Sequence, residues 1–288
     1  MKDIFDIRRF GKYFASDIRS CAAGYGLSML LISSMGLIIY IGTITMGLIF
    51  EHTWDGPDIS FRAGTFAISM FVLAVTLPVN CYGQVTEKRA GTFWLMLPAS
   101  RLEKAVSMVL MTILVVPVIS VLCYCSIDGI ICALDSTCGE SLFSGIRHLF
   151  SNFLNIAVAT ENDMAAFPAL ADFCRQVGNP WLYVDDLIGT CLIFLLGAIV
   201  FKSGKTAKTI IAYFVFSMAV STITGPLIAD MIPDMTGIGT ASGSAEFMEN
   251  LFSRDIFRHL ALYDTINDTV VNIALLAGIW YRIKTLKH

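Results

Sequence analysis

The stretch SCAAGYGLSMLLISSMGLIIYIGTITMGLIF, residues 20–50, runs for 31 positions without a charged side chain. A helix needs about 20 apolar residues to cross a bilayer, so this stretch alone predicts a membrane span. Three more uncharged runs follow, at residues 63–86, 105–127 and 209–229. Long, uniformly apolar runs favour helices over the alternating strands of a membrane barrel. The sequence therefore predicts an all-α polytopic membrane protein.

The overall composition excludes a soluble enzyme. Of the 288 residues, 56% are hydrophobic and 15% are charged, and the mean hydropathy is +0.70. Soluble domains carry about 25% charged residues, so these few charges cannot coat a globule of this size. The net charge of −3 gives no indication of nucleic-acid binding, because its parts are predicted to lie on different sides of a membrane.

Two weaker apolar runs, residues 187–201 and 269–281, complete a predicted set of six transmembrane helices within residues 21–288. Residues 1–20 resemble neither a signal peptide nor a span. Their apolar side chains recur with helical spacing and fall on one arc: Ile4, Ile7, Phe10, Phe14 and Ile18. We expect a cytoplasmic interfacial amphipathic helix here. The alternative is a frayed basic tail that only orients insertion.

The distribution of charge orients the predicted spans. With six spans and an inward amino terminus, the inside segments hold 15 of the 20 Lys and Arg residues. The outside segments hold 18 of the 23 Asp and Glu residues. Because basic residues are enriched on the cytoplasmic side, both termini are predicted to be cytoplasmic. We expect an integral protein of a bacterial cytoplasmic (inner) membrane.

A long outer loop is predicted at residues 135–180, between the third and fourth spans. Residues 142–157 have helical apolar spacing and predict a surface helix, and residues 245–252 predict a short helix in the next outer loop. Cys138 and Cys174 both fall in the long loop. They could form a disulfide if that side is oxidising, and the sequence leaves their pairing open. The other six cysteines lie in or beside spans, where a thiol acts as a small apolar group.

No recognisable motif supports catalysis, a metal or a cofactor in this chain. The four histidines are scattered without a metal-binding spacing. Ser203-Gly204-Lys205-Thr206 resembles the end of a phosphate-binding loop, but Ile199 stands where the first glycine belongs, and a span precedes it instead of a strand. We interpret it as a basic inside turn between two spans. The chain is predicted not to be an enzyme and to bind no nucleotide itself.

The stretch between the second and third spans suggests a function. It reads EKRAGTFWLMLPA at residues 87–99, and Ser100 with Glu103 then forms an S-x-x-E capping box. This stretch has a charged start, an aromatic and apolar body and a proline, and a capped helix follows it. This order of features predicts a short helix at the inner surface. A partner protein could bind such a helix.

This stretch resembles the inside loop of the membrane subunits of ABC transporters of the type-2 permease superfamily. That loop carries E-[RK]-x-x-G-T, a leucine-rich run, a proline and a small residue. The matching residues in this sequence are Glu87, Lys88, Gly91, Thr92, Leu95, Leu97, Pro98 and Ser100. The resemblance implies an ATP-driven exporter in which this chain pairs with a second permease half. It also implies that the segment docks into a separate ATPase, which binds the ATP.

The residues expected to couple the chain to the ATPase are Glu87, Lys88, Arg89, Gly91, Thr92, Phe93, Trp94 and Pro98. Phe93 and Trp94 are the expected anchors, because aromatic side chains that fill pockets dominate interface energetics. In the alternative interpretation, Lys88, Arg89, Trp94 and Arg101 only hold the loop at the lipid headgroups.

Two other classes of protein remain open. An ion-coupled secondary transporter needs polar or ionisable groups within its spans. The candidates are Asp264, Asp268 and Asn272, which lie at four-residue steps and could line a substrate path. In the alternative interpretation, a helix begins at these residues, and the two aspartates only stabilise its N-terminus, which carries partial positive charge. A membrane protein that anchors or regulates a complex without transport is the second class.

Overall fold

The computed structural model describes residues 5–52, 54–144, 180–229 and 256–286. Throughout this part of the chain the regular elements are helical and none is a strand, which confirms the all-α prediction. The helix predicted at 142–157 lies mostly outside the described residues, and the helix predicted at 245–252 lies wholly outside them. Cys174 also lies outside them, so its pairing with Cys138 stays a prediction.

The main helices follow one another in chain order. They are α1 Ile7–Ser33, α2 Met35–Met46, α3 Ile59–Tyr82, α4 Lys88–Met96, α5 Arg101–Leu110, α6 Val116–Leu134, α7 Pro180–Val200, α8 Lys205–Ala229 and α9 Ile256–Thr285. Two π-helical turns, Gly47–Glu51 and Met111–Val115, continue α2 and join α5 to α6. A 3-10 turn, Gly83–Thr86, follows α3.

Among the described residues, three helical segments are long and apolar enough to cross a membrane. They are Ile7–Phe50, Ile59–Thr86 and Arg101–Leu134, and they support a membrane protein by length and composition. A total of six spans stays a prediction. Helix α1 runs through residue 20 without a break, so the predicted amphipathic segment continues directly into the first apolar run. Phe14 and Ile18 of its apolar arc pack against the protein core, whereas Ile7 is exposed.

The chain divides into two compact units. The first comprises Met1–Arg147, Leu187–Thr209 and Asn272–His288, and the second comprises His148–Asp186 and Ile210–Val271. In the second unit, all the side chains from 210 to 219 on α8 are exposed, and most are apolar. A helix that is apolar on every side is typical of contact with lipid or with other membrane helices.

The core of the first unit is formed by α5, α7 and α9 with the end of α3. Its most deeply buried apolar side chains are Met108, Leu192, Leu195, Ile199, Ile279 and Ile283. Asp17 of α1 lies beside this core and accepts hydrogen bonds from Tyr82 of α3 at 3.0 Å and Ser107 of α5 at 2.6 Å. These bonds fix α1 against both helices.

The resemblance to a phosphate-binding loop at 203–206 is only local. Helix α7 precedes it, α8 begins at Lys205, and Gly204 adopts the left-handed conformation with φ of 59°. Glycine tolerates this conformation without steric cost. The structure therefore confirms a turn between two helices.

A buried ion pair connects α3 to α6 at the end opposite α4. Arg62 lies in the first turn of α3 and is only 5% exposed. Its Nη1 donates to Asp128 Oδ1 at 2.7 Å, and its Nη2 donates to the carbonyls of Cys138 and Glu140. Sequence patterns did not indicate this pair, because its members lie 66 positions apart.

Asp135, just after α6, connects the same end to α2. Its carboxylate accepts hydrogen bonds from the Tyr40 hydroxyl at 2.7 Å and the Trp54 indole at 3.0 Å. Hydrogen bonds from Thr137 and Tyr40 hold the pKa of Asp135 well below its ordinary value, because they stabilise the charged carboxylate. We call this end, with residues 54–58 and 135–142, the far end of the first unit.

Candidate docking site

Residues 83–100 form a compact connection at the other end of the first unit, which we call the docking end. After the 3-10 turn, Glu87 adopts an extended conformation as the N-cap of α4 and is exposed. Helix α4 then covers Lys88–Met96, with Gly91 buried and Thr92 half-buried. The structure confirms a short helix between the second and third apolar segments.

The predicted capping box is present at the start of α5. The Ser100 N–H donates to Glu103 Oε2 at 2.8 Å, and the Glu103 N–H donates to Ser100 Oγ at 3.2 Å. These two bonds satisfy backbone donors that have no partner within the helix. The direction of the chain after Pro98 is thereby fixed.

Glu103 also binds the beginning of α1, which the sequence did not indicate. Its Oε1 accepts from the Asp6 N–H at 2.9 Å and from Arg9 Nη2 at 2.6 Å, and its Oε2 accepts from Arg9 Nε at 2.8 Å. Glu103 is 0% exposed, whereas the Arg9 side chain is 37% exposed. One buried carboxylate therefore holds the starts of α1 and α5 together.

Replacing Glu103 by Gln should lower the stability of the first unit. Glutamine can still complete a capping box, but it lacks the charge that pairs with Arg9. Hydrogen bonds to charged groups contribute about 1.5–3 kcal/mol, and the exposure of Arg9 favours the low end of this range. Thermal unfolding in detergent would measure the loss. Glu87→Gln is the matched control at an exposed position, and equal losses in both variants would contradict this role of Glu103.

Trp94 faces the interior of the protein. It packs against the core of the first unit. Buried Lys104 donates to the Trp94 carbonyl at 2.8 Å, and its Nζ lies 4.8 Å from the centre of the indole ring. This is cation–π contact distance. Trp94 therefore attaches α4 to α5, and its predicted contact with a partner stays a prediction.

The exposed apolar face of α4 is formed by Phe93 and Met96. Phe93 is 71% exposed and Met96 is 76% exposed. They lie three positions apart, so their side chains are neighbours on the helix surface. Phe93 was predicted as an anchor but Met96 was not, although the i, i+3 spacing of the two residues is visible in the sequence. Pro98, just beyond the helix, is exposed as well.

Basic side chains at the docking end bind carbonyl groups in the last turns of helices or directly after them. These contacts are Lys205 Nζ to Gly83, Arg101 Nη1 to Lys284, Arg282 Nε to Ile199 and Lys104 Nζ to Trp94. Carbonyls at helix C-termini lack intrahelical donors and carry partial negative charge. Arg101 thus connects α5 to α9, and its proposed role as a headgroup anchor stays a prediction.

The proposed polar stripe lies along α9. Asn272, in the first unit, is buried opposite Gly189 of α7, where a Cβ would lie 3.0 Å from Asn272 Oδ1. Asp268, in the second unit, is half-buried and accepts a 3.4 Å hydrogen bond from Asn267. Asp264 lies one turn earlier on the same helix. The close approach of Gly189 shows that Asn272 packs tightly between two helices.

Among residues 5–52, 54–144, 180–229 and 256–286, no three His, Cys, Asp or Glu side chains are grouped to hold a metal. Comparisons with models of protein families, with curated proteins and with solved structures find no match to the chain. The geometry of α4 and its supports is therefore the basis for assigning a function.

Proposed function

We propose that this chain is the permease subunit of an ATP-driven ABC exporter and that α4 docks it to a separate ATPase. The observation that carries the proposal is the two-sided structure of α4. Its inner side is attached to the protein through Trp94 and Lys104, while Phe93 and Met96 are exposed on its surface. Helix α4 is held in place at the end of the long apolar helices, and its exposed apolar side chains could bind in a groove of a partner protein. A partner bound in this way could transmit its movement to those helices.

The contacts around α4 supply a route for coupling. Lys104 joins α4 to α5, and Glu103, one residue earlier, joins α5 to α1 through Arg9. A displacement of α4 by the ATPase would therefore move the starts of α1 and α5 together. Glu87, Lys88 and Arg89 would set the register of docking more than its affinity, since exposed charge pairs contribute about 0–1 kcal/mol.

The membrane arrangement that we propose has six spans and both termini in the cytoplasm. The chain would lie in a bacterial cytoplasmic membrane and pair with a second permease half, either identical or different. The ATPase would bind the ATP, and this chain would contribute no catalytic residue. The basic inside segments support the orientation, and the three long apolar helices support the membrane location.

The docking proposal predicts that Phe93→Ala with Met96→Ala releases the ATPase. Pocket-filling apolar anchors contribute about 2 kcal/mol or more each, so loss of both should weaken binding at least about a hundredfold. The variant should remain folded, because both side chains are exposed. The measurement is the amount of copurified ATPase per folded chain after membrane extraction.

Phe71→Ala with Met35→Ala is the matched control. It removes the same two residue types from exposed positions on α3 and α2 and should leave ATPase binding unchanged. An unaltered ratio in the Phe93 and Met96 variant would refute docking through α4. Transport by the chain alone in liposomes would instead support a secondary transporter. Retention of a complex without any transport would support an anchoring or regulatory protein.

A further inference from the structure

A cavity of about 590 Å³ lies at the far end of the first unit. It is lined by the end of α2 with its π-helical turn, by residues 55–58, and by the first turn of α3. Binding sites for small organic molecules commonly have volumes of about 300–1,000 Å³. The cavity is therefore large enough for an organic ligand, and it is separated from α4 by the length of α3, about 36 Å for 24 residues.

One side of the cavity is apolar and partly aromatic. Met46, Phe50 and Phe61 line it, and each is more than half exposed. They therefore offer an apolar surface, with two aromatic rings, to a ligand.

The other side of the cavity is negatively charged. Asp55 and Asp58 line it. Hydrogen bonds from the Ser60 side chain and backbone hold the pKa of Asp58 below its ordinary value, so this carboxyl is ionised. Among the described residues, no hydrogen bond or ion pair involves the Asp55 carboxylate. Arg62 lies one turn from Asp58, but its guanidinium is engaged by Asp128 and two carbonyls.

We propose that this cavity binds an amphipathic cation. An amine or quaternary ammonium group would lie between Asp55 and Asp58, and the apolar body of the ligand would pack against Met46, Phe50 and Phe61. Carboxylates neutralise such a cation, and aromatic faces attract it. An anionic ligand would be repelled, and a neutral one would not use the two carboxylates. The proposal does not depend on docking to an ATPase.

Two sources could supply this chemistry: a free amphipathic cation, and a membrane lipid with an amine headgroup. The probe for binding is dodecyltrimethylammonium, measured with the full-length chain in nanodiscs of phosphatidylglycerol, a lipid without an amine. Saturable binding that excess unlabelled probe displaces is expected for the wild type. Absence of saturable binding would overturn the proposal.

The decisive variant is Asp55→Asn with Asp58→Asn. Asparagine caps helices as well as aspartate does, so this change removes the charges while α3 keeps its N-cap. Binding of the probe should weaken at least about tenfold, because charge-assisted contacts contribute more than neutral ones. Asp186→Asn removes an exposed carboxylate outside the cavity and should leave binding unchanged. Equal affinities in the wild type and the double variant would refute the site.

Phosphatidylethanolamine then distinguishes the two sources. In one outcome, adding this lipid to the nanodiscs displaces the probe from the wild type but does not reduce the weaker probe binding that remains in the double variant. The occupant is then the lipid headgroup. If the probe binds equally well with and without the lipid, the site takes free amphipathic cations. Both results support the cavity as a cation site, and neither depends on the outcome of the ATPase experiment.

Discussion

Asp128→Ala is expected to destabilise the first unit by about 3–5 kcal/mol, the largest effect that we anticipate for a single substitution. Removal of one member of a buried ion pair leaves the other charge without compensation. Here the Arg62 guanidinium would stay buried between α3 and α6. The Leu142 N–H, which donates to Asp128 Oδ2 at 2.7 Å, would also lose its acceptor. Thermal or denaturant unfolding in detergent, followed by helical circular dichroism, would measure the loss.

The double variant Arg62→Met with Asp128→Leu tests the cause of this loss. Apolar residues of similar size remove both charges and can replace a buried pair at little cost. The double variant should therefore be less destabilised than the sum of its two single changes. Asp55→Ala, at an exposed carboxylate of the same end, should change stability little. A loss as large for Asp55→Ala as for Asp128→Ala would contradict a special role for the buried pair.

Gly197→Ala should disrupt the packing of α7 against the start of α8. A Cβ at this position would overlap Thr209 Oγ1 and would lie 2.7 Å from its Cγ2 and 2.8 Å from its Cβ. Thr209 is buried and bonded to the Lys205 carbonyl at 2.7 Å, so it cannot move aside freely. Overpacking of this kind costs about 1–3 kcal/mol and occasionally more. The measurement is the midpoint of thermal unfolding.

Thr209→Gly in the Gly197→Ala background should restore part of this stability. It removes the Thr209 atoms that the new methyl group would overlap. A glycine within a helix itself lowers stability by about 1 kcal/mol, so the recovery should be partial. Gly129→Ala in α6 is the matched control, because a Cβ there meets nothing within 4 Å. That change should leave stability unaltered or raise it slightly. A similar loss in both Gly→Ala variants would show that steric overlap is not the cause.

The proposed functions depend on opposite ends of the first unit and can be tested separately. Loss of ATPase binding on removal of Phe93 and Met96 would leave the far-end cavity intact. Loss of cation binding on removal of the Asp55 and Asp58 charges would leave α4 intact. If both changes act as expected, the chain would combine a docking surface at one end with a ligand site at the other.

The features that the sequence determined are those encoded by neighbouring residues. Runs of more than 20 uncharged residues require the backbone to satisfy its own hydrogen bonds in lipid, and this made the all-α fold predictable. The capping box at Ser100 and Glu103 was also predictable, because its two bonds lie within four residues. The turn at Gly204 followed from the position of the motif between two apolar runs.

Tertiary structure alone decided which side chains face the protein and which face outward. Phe93 and Trp94 are adjacent aromatic residues in the sequence, yet Trp94 packs onto α5 and Phe93 is exposed. Their surroundings depend on where Lys104 of α5 lies. The Arg62 and Asp128 pair joins residues 66 positions apart. Helical periodicity fixes which residues share a face, but the neighbouring helices determine which face is buried, and only the folded chain brings those neighbours together.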